Sequence, residues 1–306
     1  MKHGGRTRNP EPDQDAHRRR QRQRRDTCQP RRSAHLCPVS TDQVPAFPGV
    51  RCEGERHRSH REAGRSGARH VRRAVTERIY FAEQISGLPA QGIEPNKIRA
   101  LFLAYGGEYD FCRFFRQGST FLAALDGSFV IAEQPGADIE ELAQFLALHG
   151  FMDIFCSEDM GQALIPLLSA DFTPVNLMEY VGGKGGALPG DCSPSDAWRI
   201  IGSRFEIYFE PWYLDMSHRV RHGISRCISN GRAALVIQHE LNGEALISQV
   251  SVLAEYERQG IAGALLRQVS AAIPGKVQVV CEDSLCAFYE RCGFRRVSKK
   301  YVAVAR

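Results

Sequence analysis

One order of elements occurs twice in this chain, and it restricts the folds available to it. In the first half, "STFLAALDGSFVIAEQ" gives two apolar runs around Asp126–Gly127, a strong hairpin signal. "DIEELAQFLALHG" follows as a helix with Asp138 as N-cap and Gly150 as stop. "FMDIFCSE" then reads as a buried strand, "DMGQALIPLLSA" as a helix and "FTPVNLMEYVGG" as a strand. In the second half, "AALVIQHE" and "EALISQVSVL" flank a turn containing Asn242–Gly243. A helix from about Arg258, the strand "KVQVVCE", the helix "SLCAFYERCG" and the strand "RRVSKKYVAVA" complete the set. Hairpin, helix, strand, helix and strand in both halves predict a diverged internal duplication.

Each half has a helical lead-in. Residues 93–117 read as a helix broken near Gly106–Gly107, and 196–223 as helix in two pieces interrupted at Pro211. "GGKGGALPGDCSPSD" (182–196) is a linker by composition, its glycines too loosely spaced for a phosphate loop.

Charge divides the chain differently. Residues 1–75 hold 19 Lys and Arg against 8 acids, with one Leu, one Phe and no Ile, whereas the remainder holds 21 basic and 27 acidic residues. Such a tail buries too little apolar surface to offset its ordering entropy and is expected to be disordered. As an Arg-rich arm it would bind nucleic acid or an anionic surface. Arg almost to the exclusion of Lys instead suggests a coding bias, and the arm is expected to be an accidental extension. It has no apolar core of a secretory signal, and its acids argue against a transit peptide. Cys28, Cys37, Cys52, His57 and His60 match no standard zinc spacing, and none of the ten Cys forms a C-x-x-C pair. Scattered thiols and the lack of a membrane-length apolar run predict a cytoplasmic protein.

The chemistry points to "EYERQGIAGALLRQV" (255–269). Ile261, Leu265, Leu266 and Val269 share one helix face, while Gly260, Ala262 and Gly263 crowd the first turn. A helix start with small side chains lets a phosphate reach free amides at the positive end of the helix dipole. Small residues there also serve as packing devices, and Glu257 at the lip repels an anion. About twenty residues on come a strand and "FYERCGF", with Tyr289, Gly293 and Phe294.

Together these blocks resemble the GNAT superfamily of acetyl-CoA-dependent N-acetyltransferases. The family loop, Arg/Gln-x-x-Gly-x-Gly/Ala, is matched by Gly260 and Ala262 but not at Glu257; its Tyr-x-x-x-Gly-Phe block is matched by Tyr289, Gly293 and Phe294. The resemblance spans 191–306 and implies an α/β (α+β) fold, a twisted mixed sheet flanked by helices and splayed between two central strands. Residues 76–185 are then expected to form a degenerate GNAT-like lobe, 186–190 a linker, and 191–306 the active-looking lobe. By the same resemblance, Arg258, Gln259, Gly260, Ile261, Ala262 and Gly263 would hold the CoA pyrophosphate. Val250, Val252 and Leu253 would lie along the pantetheine arm, and Tyr289 would protonate the departing thiolate. Where the family often has Asn, this chain has Glu282.

The resemblance implies transfer of an acetyl group to a primary amine of a small molecule or peptide, with no metal and no membrane, and nucleic acid confined to the Arg-rich tail. Glu244, His239 and Glu240 are open as bases, each more readily read as a solvated strand-end residue, so no base is assigned. His218, Arg219, Arg221 and His222 form a cationic helix face that either selects an acidic acceptor or is simply solvated. In the first half, Asp138, Glu140 and Glu141 stand where the cradle would be, which predicts loss of CoA binding there. The alternative to an enzyme is a GNAT-fold module that senses acyl-CoA without turnover.

Overall fold

The computed structural model describes residues 75–205 and 207–306; the Arg-rich segment and its Cys and His residues lie outside these. Eleven strands and seven α-helices follow one another along the described chain. The first half contains β1 (Glu77–Ile79), α1 (Ile93–Tyr105), β2 (Cys112–Gln117), β3 (Thr120–Leu125), β4 (Ser128–Ala132) and α2 (Ile139–His149), then β5 (Asp153–Ser157), α3 (Glu158–Leu164) and β6 (Ala170–Tyr180). The second half contains α4 (Pro194–Ile201), α5 (Phe209–Arg221), β7 (Arg226–Ser229), β8 (Ala233–Leu241) and β9 (Glu244–Val252). It ends with α6 (Ile261–Ala272), β10 (Lys276–Cys281), α7 (Asp283–Arg291) and β11 (Phe294–Ala305).

Both hairpin turns are of the kind the sequence predicts. Asp126 and Gly127 have φ of 48° and 89°, and Asn242 and Gly243 have 52° and 76°. Paired positive φ values suit the right-handed twist of the flanking strands. Two expectations are corrected. "CRFFRQ", expected as the end of a helix, is strand β2, because it pairs with β1 on one side and β3 on the other. The break in the 196–223 helix falls between Ile201 and Phe209 and not at Pro211, which lies in the first turn of α5. Proline is tolerated there because the early amides have no intrahelical acceptor.

All strands belong to one mixed sheet in the order β1-β2-β3-β4-β5-β11-β6-β10-β9-β8-β7. The two halves repeat each other and exchange their last strands. β4 runs parallel to β5, and β9 runs parallel to β10. The next strand in each half then crosses over: β6 pairs with β10, β11 pairs with β5, and the two pair with each other along the whole of β6, from Ala170 to Tyr180. The expected boundary at 186–190 therefore lies between strands that are interleaved in space.

Alternation along the strands separates two faces. Met178, Ala245 and Ile247 pack under α6 and α7, while Ile131, Ile154 and Ala303 pack under α2 and α3. On the opposite face, Leu246, Leu177 and Phe155 pack against α1, and Ala234 and Val236 against α4 and α5. This second face is concave. Lys97 of α1 places its Nζ 3.2 Å from Oε1 of Gln238 on β8 and 5.0 Å from the ring centroid of Phe155 on β5. In a flat sheet those strands would be about 24 Å apart, at ~4.8 Å per strand. The sheet curls around α1 to bring them together.

Candidate active site

β9 is paired with β10 only from Glu244 to Ile247. Beyond Ile247 the two parallel strands diverge, while the other edge of β9 stays on β8, Val252 opposite Ala233 and Ser251 opposite Ala234. Divergence coincides with a β-bulge between Ala234 and Val236 and a positive φ of 52° at Gln249, whose Oε1 accepts from Trp212 Nε1 at 2.9 Å. A bulge bends its strand and redirects the edge. Ser248 to Val252 thus present a backbone edge toward the opening, with Val250 and Val252 packed on the α6 side and Leu253 on the α4 side.

The chain leaves β9 through a single 3₁₀ turn, Ala254–Tyr256, and enters α6 at Gly260. Gly260 is in the left-handed region at φ 76°, with nothing within 4 Å of where a Cβ would stand. Arg258 also has positive φ, 57°. No side chain caps α6 and no acid occupies its first turn, so the amides at the helix start face the opening. Gly263 has a different reason for being small. A Cβ there would lie 3.2 Å from Cys292 Sγ and 3.7 Å from the Phe288 ring, so this glycine lets α6 pack on α7.

A cleft of about 530 Å³ opens at this turn. Arg258, Gly260, Ile261, Ala262 and Gly263, five of the six loop residues singled out in the sequence, line it. Gln259 points elsewhere, its Nε2 donating to Glu255 O at 3.0 Å. The cleft also contains Arg267 and Arg291, which the sequence reading missed. Arg267 stands four residues after Gly263 and Arg291 three after Phe288, the spacings that place a side chain on the same helix face. Three guanidinium groups around an uncapped helix start fit a pyrophosphate. Glu257 is answered by Arg204, Nη1 to Oε1 3.4 Å, which offsets the acid at the lip.

The corresponding place in the first half is closed by its own side chains. Asp138 accepts from Glu141 N at 3.1 Å, and Glu141 accepts from both N and Oγ1 of Thr76 and from Gln117 Nε2. One of the amides at this helix start, Glu141 N, is thus capped by a carboxylate, and a second carboxylate stands beside it.

Residues 222–296 match the family model described as the acetyltransferase (GNAT) domain. The C-terminal half carries a GNAT domain. The match includes the splayed strands, the Gly260 turn and the "FYERCGF" block, and it supports acetyltransferase-type chemistry in general. Among solved structures, the chain is similar to a GCN5-related N-acetyltransferase from Kribbella flavida, at 14% identity and TM-score 0.47, covering 69% of this chain and 93% of that one. A GNAT-family acetyltransferase from Novosphingobium aromaticivorans is similar at 19% identity and TM-score 0.41, covering 60% and 86%. An acetyltransferase from Pyrococcus horikoshii is similar at 9% identity and TM-score 0.47, covering 79% and 93%. No curated protein matches the chain. Among the described residues, no helix is long and apolar enough to cross a membrane.

Other residues of the GNAT half are placed as follows. Tyr289 is 8% exposed and belongs to the same apolar cluster as Val250 and Val252, its ring 5.1 Å from Phe288 and 5.8 Å from Phe294. Burial, with the nearby Cys281 and Cys292, pushes its phenol pKa well up. Glu282 is an exposed residue preceding α7. Glu244, expected as a solvated strand end, is instead buried. It accepts from Gly92 N and Asn96 Nδ2, both at 2.8 Å, and from Lys276 Nζ at 2.9 Å. One oxygen fixes the start of α1 and the other ties β9 to Lys276 at the start of β10. His239 is also buried, at 2%, and Glu240 is exposed. On the cationic helix, Arg221 and His222 are solvated, but Arg219 is buried and paired with Asp215 at 2.8 Å.

Proposed function

We propose that the C-terminal half transfers an acetyl group from acetyl-CoA to a primary amine by direct attack. The observation that carries this is the divergence of β9 from β10 beside an uncapped helix start ringed by Arg258, Arg267 and Arg291. In this reading the arginines and the amides after Gly260 hold the pyrophosphate. The free edge of Ser248–Val252 takes the pantetheine arm as an added strand would, and a backbone N–H polarises the thioester carbonyl. The amine lone pair forms the new C–N bond, the C–S bond breaks, one proton leaves the nitrogen for solvent, and the thiolate gains one. Tyr289 is the donor in this scheme.

The burial of Tyr289 favours a second reading, an acyl-CoA-binding module without turnover, because a phenol made less acid is a poorer match to a thiol leaving group. Calorimetry with acetyl-CoA, followed by CoA-thiol release with a broad amine panel, separates the two. Micromolar binding with release supports the enzyme, binding without release to any amine supports the module, and no binding refutes both.

A further inference from the structure

On the concave face, α1, α5 and the strands β4, β5 and β8 enclose a second cavity of about 160 Å³. Lys97, Arg219, Gln238, His239, Ser128 and Asp153 supply its polar lining. His239 reaches it because of a bulge. Ile237 faces Ile247 on the α6 side, yet His239 faces Leu246 on the α1 side, the extra residue being Gln238. One inserted residue moves the imidazole from one face of the sheet to the other.

Two cationic side chains, Lys97 and Arg219, and one carboxylate, Asp153, line the cavity, so its fixed charge is net positive. Lys97 donates to the Gln238 amide, and among the described residues it has no carboxylate within ion-pair distance. The residue is half-buried and lines the cavity. Arg219 commits its Nε to Asp215. Asp153 accepts from Ser128 Oγ at 2.6 Å at the β4–β5 end. Nδ1 of His239 is buried without a hydrogen-bond partner. After burial, the charges that act on this imidazole are two cations, Lys97 and Arg219, and all three effects lower its pKa, to about 3. A buried imidazole nitrogen without a partner is costly, and Lys97 and Arg219 place two positive charges on the same cavity, so an anion is the ligand its lining favours.

We propose that this cavity binds the carboxylate of the acceptor, making the substrate a small amine that carries one carboxylate group; this rests on the acetyltransferase reading above. Lys97 and Arg219 hold the carboxylate by charge, and the His239 ring lies in the wall beside it. Position along the sheet agrees with this. His239 is opposite Leu246, and Ser248, where β9 has left β10, is two residues further on, about 7 Å at ~3.4 Å per residue. An amine next to a carboxylate held beside His239 lies within reach of the divergence. The first half thus supplies the other wall of the acceptor site through Lys97, Ser128 and Asp153.

The test uses the full chain with glycine, acetate and ethanolamine as probes. Glycine and acetate are expected to shift the ¹⁵N resonances of His239 and to raise Tm, and ethanolamine to do neither. Lys97→Met, which keeps side-chain length, is expected to weaken glycine binding at least tenfold while acetyl-CoA affinity stays within twofold. Equal response to ethanolamine and glycine, no response of His239 to either carboxylate, or unchanged glycine affinity in Lys97→Met overturns the proposal. Acetyl-CoA binding is measured separately. Carboxylate binding without it refutes the acetyltransferase reading and supports the carboxylate site, whereas CoA binding with no carboxylate response leaves that reading intact and sinks the site.

Discussion

Acidification should unfold this protein through His239. The imidazole is 2% exposed, and its pKa is lowered from 6.5 to about 3 by burial first, then by Lys97 and Arg219. The groups facing it from the surrounding elements are Lys97 on α1, Arg219 on α5, Asp153 and Ser128 across the cavity, and Gln238 beside it. Below pH 6.5 the unfolded chain takes up a proton that the folded chain refuses, so stability rises with pH in this window. The contribution is complete above about 6.5 and is lost as pH falls toward 3. A single group with these two pKa values costs about 2 kcal/mol at pH 5 and about 3 kcal/mol at pH 4, a large share of the ~5–15 kcal/mol that holds a domain together. Urea denaturation at pH 7, 6, 5 and 4, compared between the wild type and His239→Gln, isolates the effect, since other acid-sensitive groups are common to both. The variant should start less stable or equal at pH 7 and lose about 3 kcal/mol less than the wild type on reaching pH 4. If the stability difference between the two proteins is the same at pH 7 and pH 4, His239 is not a neutral buried group and the cavity's electrostatics are misread.

Glu244→Ala should cost about 2–4 kcal/mol in urea denaturation, because it leaves the Gly92 and Asn96 donors without their acceptor, while Lys276 is exposed enough to be solvated. Gly260→Ala should cost about 1 kcal/mol by conformation alone, since the site is open but φ is 76°, and Gly260→Asp should abolish CoA binding measured by calorimetry. Glu257→Gln should tighten CoA binding by about two- to threefold, a small change because Arg204 already faces the carboxylate in an exposed pair, and Arg204→Ala should weaken it. Tyr289→Phe should lower the rate of acetyl transfer at least tenfold with unchanged acetyl-CoA affinity if Tyr289 is the proton donor, and leave the rate unaltered if it only packs.

Features set by a few neighbouring residues were legible in the sequence. Asp126–Gly127 and Asn242–Gly243 had to be turns, because those residues tolerate positive φ between apolar runs. Asp138 and Gly150 bracket α2 as expected, with the Asp138 side chain capping Glu141 N. Features created by distant partners were not legible. Cys112, Phe114 and Phe115 fit a helix or a strand, and only pairing with β1 and β3 decides for strand. Arg219 looked solvated because nothing local shows that α1 and the strands β4, β5 and β8 meet around it. His239 looked like a strand end because strict alternation assigns it to the face of Leu235 and Ile237, and the bulge at Gln238 reverses that assignment. The exchange of β6 and β11 left no mark, since a strand has the same pattern whichever half it completes.

The small residues at the start of α6 show how the two kinds of information combine. Sequence alone offered phosphate cradle or packing device as alternatives for the group. The structure divides them by residue: Gly260 borders open space at a φ that disfavours side chains, while Gly263 is filled by Cys292 and Phe288. The same turn therefore combines an open glycine with a packed one. Close packing of α6 on α7 at Gly263 brings Arg291 and Arg267 to one cleft beside the amides after Gly260. In the first half, Asp138 caps the corresponding helix start at Glu141 N. Helix α1 and strands β4 and β5 of that half form a wall of the cavity that contains His239. The repeated order of elements thus places a second cavity, lined by Lys97, Arg219 and His239, on the face of the sheet opposite α6.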